Sequence, residues 1–289
     1  MDTNSVAIKD FGGEAGGTAW WTLGKDVRLS ELAEAWARAG LPEDWLPELP
    51  SLEQRLGRAV RTVTALRKLA RPIARKGHWA LVSEVVTKDA EGNAAGVTHE
   101  QTATVQIRHG ELHFEPYYAP QVDAISGAYH ASYGVLDRDD VALWLVEVLE
   151  KVHGTPLRPR GGVYYVPSGE LNRWRTIGKV LADAKAGDVY TLPTLAGDEA
   201  HRAVLDALTR EVLEATAEVE AQALEGAVKG RGLRSRVREC EALTARIGAY
   251  ESLLGAAVDK LRDSVARASD CALQAALQIE LEAETAAQE

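Results

Sequence analysis

LDALTREVLEATAEVEAQALEG (residues 205–226) keeps a seam at Leu205, Leu208, Val212, Ala215, Val219, Gln222 and Gly226. That unbroken three-four spacing is the seam of a coiled coil. The chain then turns at Lys229-Gly230-Arg231-Gly232, and a second seam runs Cys240, Leu243, Ile247, Tyr250, Leu254. The spacing predicts two long helices, 198–228 and 233–286, packed antiparallel as a coiled-coil hairpin with a charged tip. At the α-helical rise they are roughly 46 Å and 80 Å long, so the first is used up near residue 263 of the second. Residues 264–286 then pack on the rest of the chain, meet a second copy, or stand alone. Two successive steps of four, Tyr250 to Leu254 to Val258, form a stutter. Beyond it the seam resumes at Leu261, Val265, Ala268, Ala272, Ala275 and Ile279.

Upstream the pattern changes. Residues 1–17 are Gly-rich and read as a flexible N-terminus, followed by a short strand at Thr18–Leu23. Ser30 is a good N-cap for a helix that stops at Gly40. The run GLPEDWLPELP (40–50) is a connector. Ser51 and Gln54 have capping-box spacing and open a helix expected to reach about Ala70, with Leu52, Leu56, Val60, Val63 and Leu66 on its apolar face. Trp79–Thr87 reads as a strand. Thr102–Arg108 and Glu111–Glu115 form a hairpin about His109-Gly110, with Arg108 opposite Glu111, Ile107 opposite Leu112 and Val105 opposite Phe114. Arg138–His153 is apolar nearly all round and predicts a buried helix, with Asp137, Asp139 and Asp140 capping its start. RGGVYYVP (160–167) is a strand, Ser168 opens a helix to about Lys185, and Asp188–Leu195 is a further strand.

The fold class that follows is α+β: a small, mostly antiparallel sheet with packed helices over 18–195, then the hairpin over 196–289 with an acidic tail. Apolar content of 46% and charged content of 26% are ordinary for a globular chain, and 289 residues hold one large or two modest domains. The N-terminus lacks an apolar signal core, and no run approaches a membrane span, so the expectation is a cytoplasmic protein without membrane contact. Cys240 and Cys271 fall on the same expected helix, roughly 46 Å apart, and read as unbridged thiols of a reducing compartment.

The net charge of −10 is unevenly placed. Residues 51–80 carry a net +7 and residues 229–238 a net +5. The expected tip holds Lys229, Arg231, Arg234, Arg236 and Arg238. An exposed tip tolerates any charge, but cations in the first turns of a helix oppose its macrodipole by about 0.3–1 kcal/mol each. Retaining them together points to a phosphate-bearing or acidic partner: DNA, RNA or an acidic protein surface. Arg58, Arg61 and Lys68, placed on the polar side of one helix, form a second candidate patch, with a solvated basic face as the plainer reading.

Other constellations are weaker. His109, Glu111 and His113 spell H-x-E-x-H, but on a strand turn the first side chain does not align with the other two, which disfavours a metal. GGEAGGT (12–18) lacks the Lys of a phosphate loop. RGGVYYVP departs from the RNA-recognition pattern, and Tyr164 and Tyr165 should point to opposite faces. Asp183-Ala184-Lys185 resembles the end of a nuclease site but lies at a helix C-terminus. No catalytic set emerges, so the chain reads as non-enzymatic, with no cofactor and with no residue assigned to catalysis or metal binding. The leading expectation is a binding protein with a basic contact surface. The alternative is a scaffold that self-associates through its C-terminal coiled coil.

SELAEAWARAGL (30–41), LGRAVRTV (56–63), RGGVYYVP (160–167) and AYESLLG (249–255), in this order, resemble a family of uncharacterised proteins found in bacteria and their phages. The likeness spans most of the chain. It implies a mobile-element or accessory context, and no activity, cofactor or functional residue.

Overall fold

The computed structural model describes residues 14–63, 68–72, 78–88, 94–116, 122–159, 161–224 and 230–286. Among these the chain runs β1 (Glu14–Leu23), β2 (Asp26–Arg28), α1 (Leu29–Arg38), α2 (Leu52–Val63), β3 (Lys68–Pro72), β4 (His78–Lys88), β5 (Ala94–Arg108), β6 (Glu111–Glu115), α3 (Val122–Ala131) and β7 (Val135–Asp137). It continues through α4 (Arg138–Lys151), β8 (Thr155–Pro156), β9 (Tyr164–Pro167), α5 (Leu171–Asp183), β10 (Gly187–Leu195) and α6 (Asp198–Leu224). Last come α7 (Gly230–Ala249), the one-turn α8 (Glu251–Leu254), a 3-10 turn at Gly255–Val258, and α9 (Asp259–Ala286). Two compact units result. One is Gly24–Ala142, and the other joins the chain up to Leu23 to Leu143–Glu289.

In the Gly24–Ala142 unit, β3-β4-β5-β6 form an antiparallel sheet. The β5–β6 hairpin has the expected register: Arg108 pairs with Glu111, Ile107 with Leu112 and Val105 with Phe114. Alternation along these strands sends Val105 inward, where it meets Leu56 and Val60 of α2 and Ile125 of α3 in one core. Gly57 faces Trp79 so closely that a Cβ there would lie 2.9 Å from the indole, which is why α2 can press against this sheet. The capping box at the start of α2 is formed: Ser51 N donates to Gln54 Oε1 (2.8 Å) and Gln54 N to Ser51 Oγ (3.3 Å).

Three expectations shift here. The helix opened by Ser51 ends at Val63, and KLARP (68–72) pairs with β4 as a strand, so Leu66 lies outside the described residues and Lys68 is on a strand. The helix read from Ser30 starts at Leu29, after β2, and Arg28 at its N-cap makes no side-chain capping bond. α3, with its weak polar contrast, had not been anticipated.

In the other unit, the sheet order is β10-β1-β9-β8. β1 begins at Glu14 and pairs antiparallel with both β10 and β9. Tyr164 and Tyr165 do point to opposite faces. Tyr164 stacks on Trp21 at 5.0 Å, and Trp21 also leans on Trp174 of α5. Tyr165 joins the core made with α6, α7 and α9, its ring 5.9 Å from that of Tyr250. α4 is buried along Val141, Trp144, Leu145, Val148 and Leu149, whereas Leu143 is exposed.

The long coiled-coil hairpin is not formed. α6 and α7 run in opposite directions, as their ion pairs Arg246–Glu211 and Arg236–Glu218 require. Instead of continuing to 286, however, the second helix ends at Ala249. Gly255, at φ +53°, reverses the chain, and α9 folds back to pack on both α6 and α7. Val212, Val219, Cys240, Ile247, Leu261, Val265, Ala268 and Ala272 then share one core. The physical reason is burial. A protruding helix with its own apolar stripe is marginal in water, and folding back covers that stripe. Val265, Ala268 and Ala272 of the stretch 264–286 therefore pack within their own chain. Cys240 and Cys271 consequently lie on different helices, so distance along one helix no longer separates them; both are free thiols.

Candidate anion-binding surface

α7 begins with Gly-Arg-Gly-Leu-Arg-Ser-Arg-Val-Arg and has no acidic residue in its first turn. The five cations expected to act together are treated differently by the fold. Lys229 and the Arg231 side chain lie outside the described residues. Arg236 is held locally: Nε donates to Gln222 Oε1 (2.8 Å), Nη1 to Glu239 Oε2 (2.6 Å), and Nη2 stands 3.7 Å from Glu218 Oε1. The hydrogen bond it donates to Glu239 raises its pKa above the ordinary guanidinium value. Arg236 thus ties α7 to α6. Arg234 and Arg238 are exposed. Among the described side chains, the exposed part of the predicted tip is Arg234 and Arg238, in the second and third turns of α7.

The second patch separates. Arg58 Nη1 and Nη2 donate to Asp140 Oδ2 and Oδ1, each at 2.5 Å, and Nε stands 3.0 Å from Asp137 Oδ2. These two carboxylates cap α4 as expected. Asp137 Oδ1 accepts from the backbone N of Asp139 and of Asp140, and Asp140 Oδ2 accepts from Asp137 N, all at 2.9 Å. The Asp140 hydrogen bond raises the Arg58 pKa against the opposing effect of burial. Arg58 therefore joins α2 to the start of α4. Arg61 is exposed on α2, and Lys68 sits on β3 with its side chain outside the described residues. The three do not form one helical stripe.

A further cation escaped the sequence reading. Arg55 is 7% exposed. Its Nε donates to Ser132 Oγ (3.2 Å) and its Nη2 to the Tyr129 carbonyl (3.0 Å), while the guanidinium lies 4.5 Å from the Tyr129 ring centroid and 5.2 Å from that of Tyr133. The carbonyl end of α3 and the two aromatic faces supply the negative potential this charge needs. Helical spacing gave a signal: Arg55 stands beside Leu56 and one turn before Ala59, on the buried side.

His109, Glu111 and His113 are exposed, His109 in the hairpin turn at φ +53° and the other two on β6. Among the described residues no group of three His, Cys, Asp or Glu side chains is placed to hold a metal ion, and no helix is long and apolar enough to cross a membrane.

Residues 16–287 match the model of a family described as Family of unknown function (DUF6744). The chain belongs to this family. No curated protein and no solved structure matches the chain. Family membership spans nearly all of the described residues and carries no activity with it.

Proposed function

We propose that this member of the family is a non-enzymatic binding protein that meets nucleic acid or another acidic partner through the start of α7. The observation that carries the reading is the exposure of Arg234 and Arg238 in the second and third turns of α7, near a helix start with no acidic residue in its first turn. On a chain of net charge −10, such a local cluster fits a defined contact better than general attraction to polyanions. Arg231 and Lys229 belong to the same cluster by sequence, and Arg61 is an outlying candidate. Arg236 and Arg58 position helices and leave the contact set. The setting proposed is the cytoplasm, where Cys240 and Cys271 remain thiols, in a bacterial or phage accessory role.

The test is binding of the full chain to single- and double-stranded nucleic acid across a range of salt. With Arg231, Arg234 and Arg238 all changed to Ala, the slope of log K against log salt on duplex DNA should become shallower by about 2–3 units. An unchanged affinity and slope would remove α7 as the contact. Absence of binding by the parent at low salt would remove nucleic acid as the partner.

A further inference from the structure

Apolar positions keep a helical period from Cys240 through Leu254 and Val258 to Ala272, and all of these but the half-buried Leu243 are buried. The backbone nevertheless leaves the helix in the middle of that period. Tyr250 anchors the end of α7: its hydroxyl donates to the His153 carbonyl (2.7 Å) and lies 2.9 Å from Thr155 Oγ1. The reversal itself falls at Gly255, with φ +53° and ψ −136°. A Cβ at Gly255 would meet nothing within 4 Å, so backbone torsion and not crowding is what demands glycine there.

The helix beyond this pivot is exchangeable. Its buried residues Leu261, Val265, Ala268 and Ala272 pack against α6 and α7, which make few direct contacts with each other. The groove between α6 and α7 is shaped for α9, and an identical helix from another molecule meets the same side chains.

We propose that this groove also accepts α9 of a second copy, two chains exchanging the helix reciprocally when the connection opens at Gly255. The inference is independent of the anion contact. Exchange leaves each three-helix core intact, with α9 supplied by the partner, so no apolar burial is forgone. Opening the reversal costs the glycines little, and the connection gains helical hydrogen bonds its sequence period already favours. Opposing this is the entropy of association, which makes the monomer the form at low concentration.

The experiment is Gly255→Ala in the full chain, followed by light scattering on a sizing column. An L-residue in left-handed backbone is disfavoured by about tenfold per site, so the dimer dissociation constant should fall roughly a hundredfold, one factor from each chain. In dimers refolded from mixed isotope-labelled and unlabelled chains, contacts between the Ile247 and Leu261 methyl groups should become intermolecular. Inserting two glycines after Gly255 should restore the monomer by easing the reversal. A folded Gly255→Ala chain that stays monomeric at millimolar concentration, or a dimer whose Ile247–Leu261 contacts remain within one chain, overturns the proposal. If Gly255→Ala does not fold, the parent decides. Refolded from urea at high concentration, it should yield a slowly exchanging dimer with the intermolecular contacts, and failure to do so overturns the proposal.

Discussion

α2 and α7 look alike as sequence, two helices dense in arginine on an acidic chain, yet the fold uses their charges in opposite ways. On α2, Arg55 is buried against the carbonyl end of α3, and Arg58 holds both carboxylates that cap α4. On α7 Arg236 and Arg246 have comparable structural partnerships, with Glu239 and Glu211, while Arg234 and Arg238 are exposed. A run of arginines therefore carries two meanings. Where a helix terminus or a cap lies within reach, the charge becomes a tie between elements; at the start of a helix, with no acidic residue in its first turn, it remains surface.

The sharpest way to break this contrast is to remove the buried cation. Arg55→Ala should cost about 2–4 kcal/mol in urea unfolding, since it deletes charged hydrogen bonds and leaves the Tyr129 carbonyl with Ser132 Oγ as its side-chain donor. A loss under roughly half a kcal/mol would place Arg55 among ordinary surface residues. Next comes Arg58→Ala, expected to destabilise by about 1–3 kcal/mol, because Asp140 loses a two-pronged partner while still capping α4. Arg58→Lys should recover little of this, as an ammonium cannot match both carboxylate oxygens at once. Full recovery by Lys would mean that charge alone matters there.

A smaller effect concerns a cation the fold disfavours. Burial, followed by the Arg246 and Arg173 charges and opposed by Glu170, holds the His153 pKa below its ordinary 6.5. Between the folded value and 6.5 the unfolded chain binds more protons, so stability should be fully present above pH 6.5 and decline as pH falls through the folded pKa. His153→Asn should flatten that part of the pH–stability curve. A parent curve already flat below 6.5 would show that His153 is not the titrating group. Smallest of all, Arg238→Ala should change stability by no more than about half a kcal/mol, because its side chain is exposed and lies beyond the first turn of α7. A clear loss of stability would move Arg238 into the company of Arg55 and Arg58.

Much of the fold was legible where local chemistry decides. The pairing of Arg108 with Glu111 followed from alternation about a two-residue turn, and the Ser51–Gln54 box from side chains three residues apart. What stayed hidden depended on distance along the chain. The partners of Arg58 lie about eighty residues away, at Asp137 and Asp140, so no window around α2 could show that its basic face was engaged. The break at Gly255 was masked for another reason. The apolar period through Tyr250, Leu254, Val258 and Leu261 is the same whether the helix continues or folds back. Periodicity reports which side of a helix is buried and says little about which helix covers it. β3 was lost in the same way, because KLARP extends the pattern of α2 until its pairing with β4 is known.

The place of β1 in its sheet has a consequence for synthesis. It leaves the ribosome well before its pairing partners β9 and β10, and about 140 residues separate Leu23 from Tyr164. At roughly 5–20 residues per second, Trp20 and Trp21 wait about 8–34 seconds for Tyr190 and Val189 of β10, the residues they pair with. Meanwhile Gly24–Ala142 emerges as a continuous stretch with its own core. The nascent chain thus carries a folded segment behind an unpaired aromatic strand, and that strand is what a chaperone would meet first.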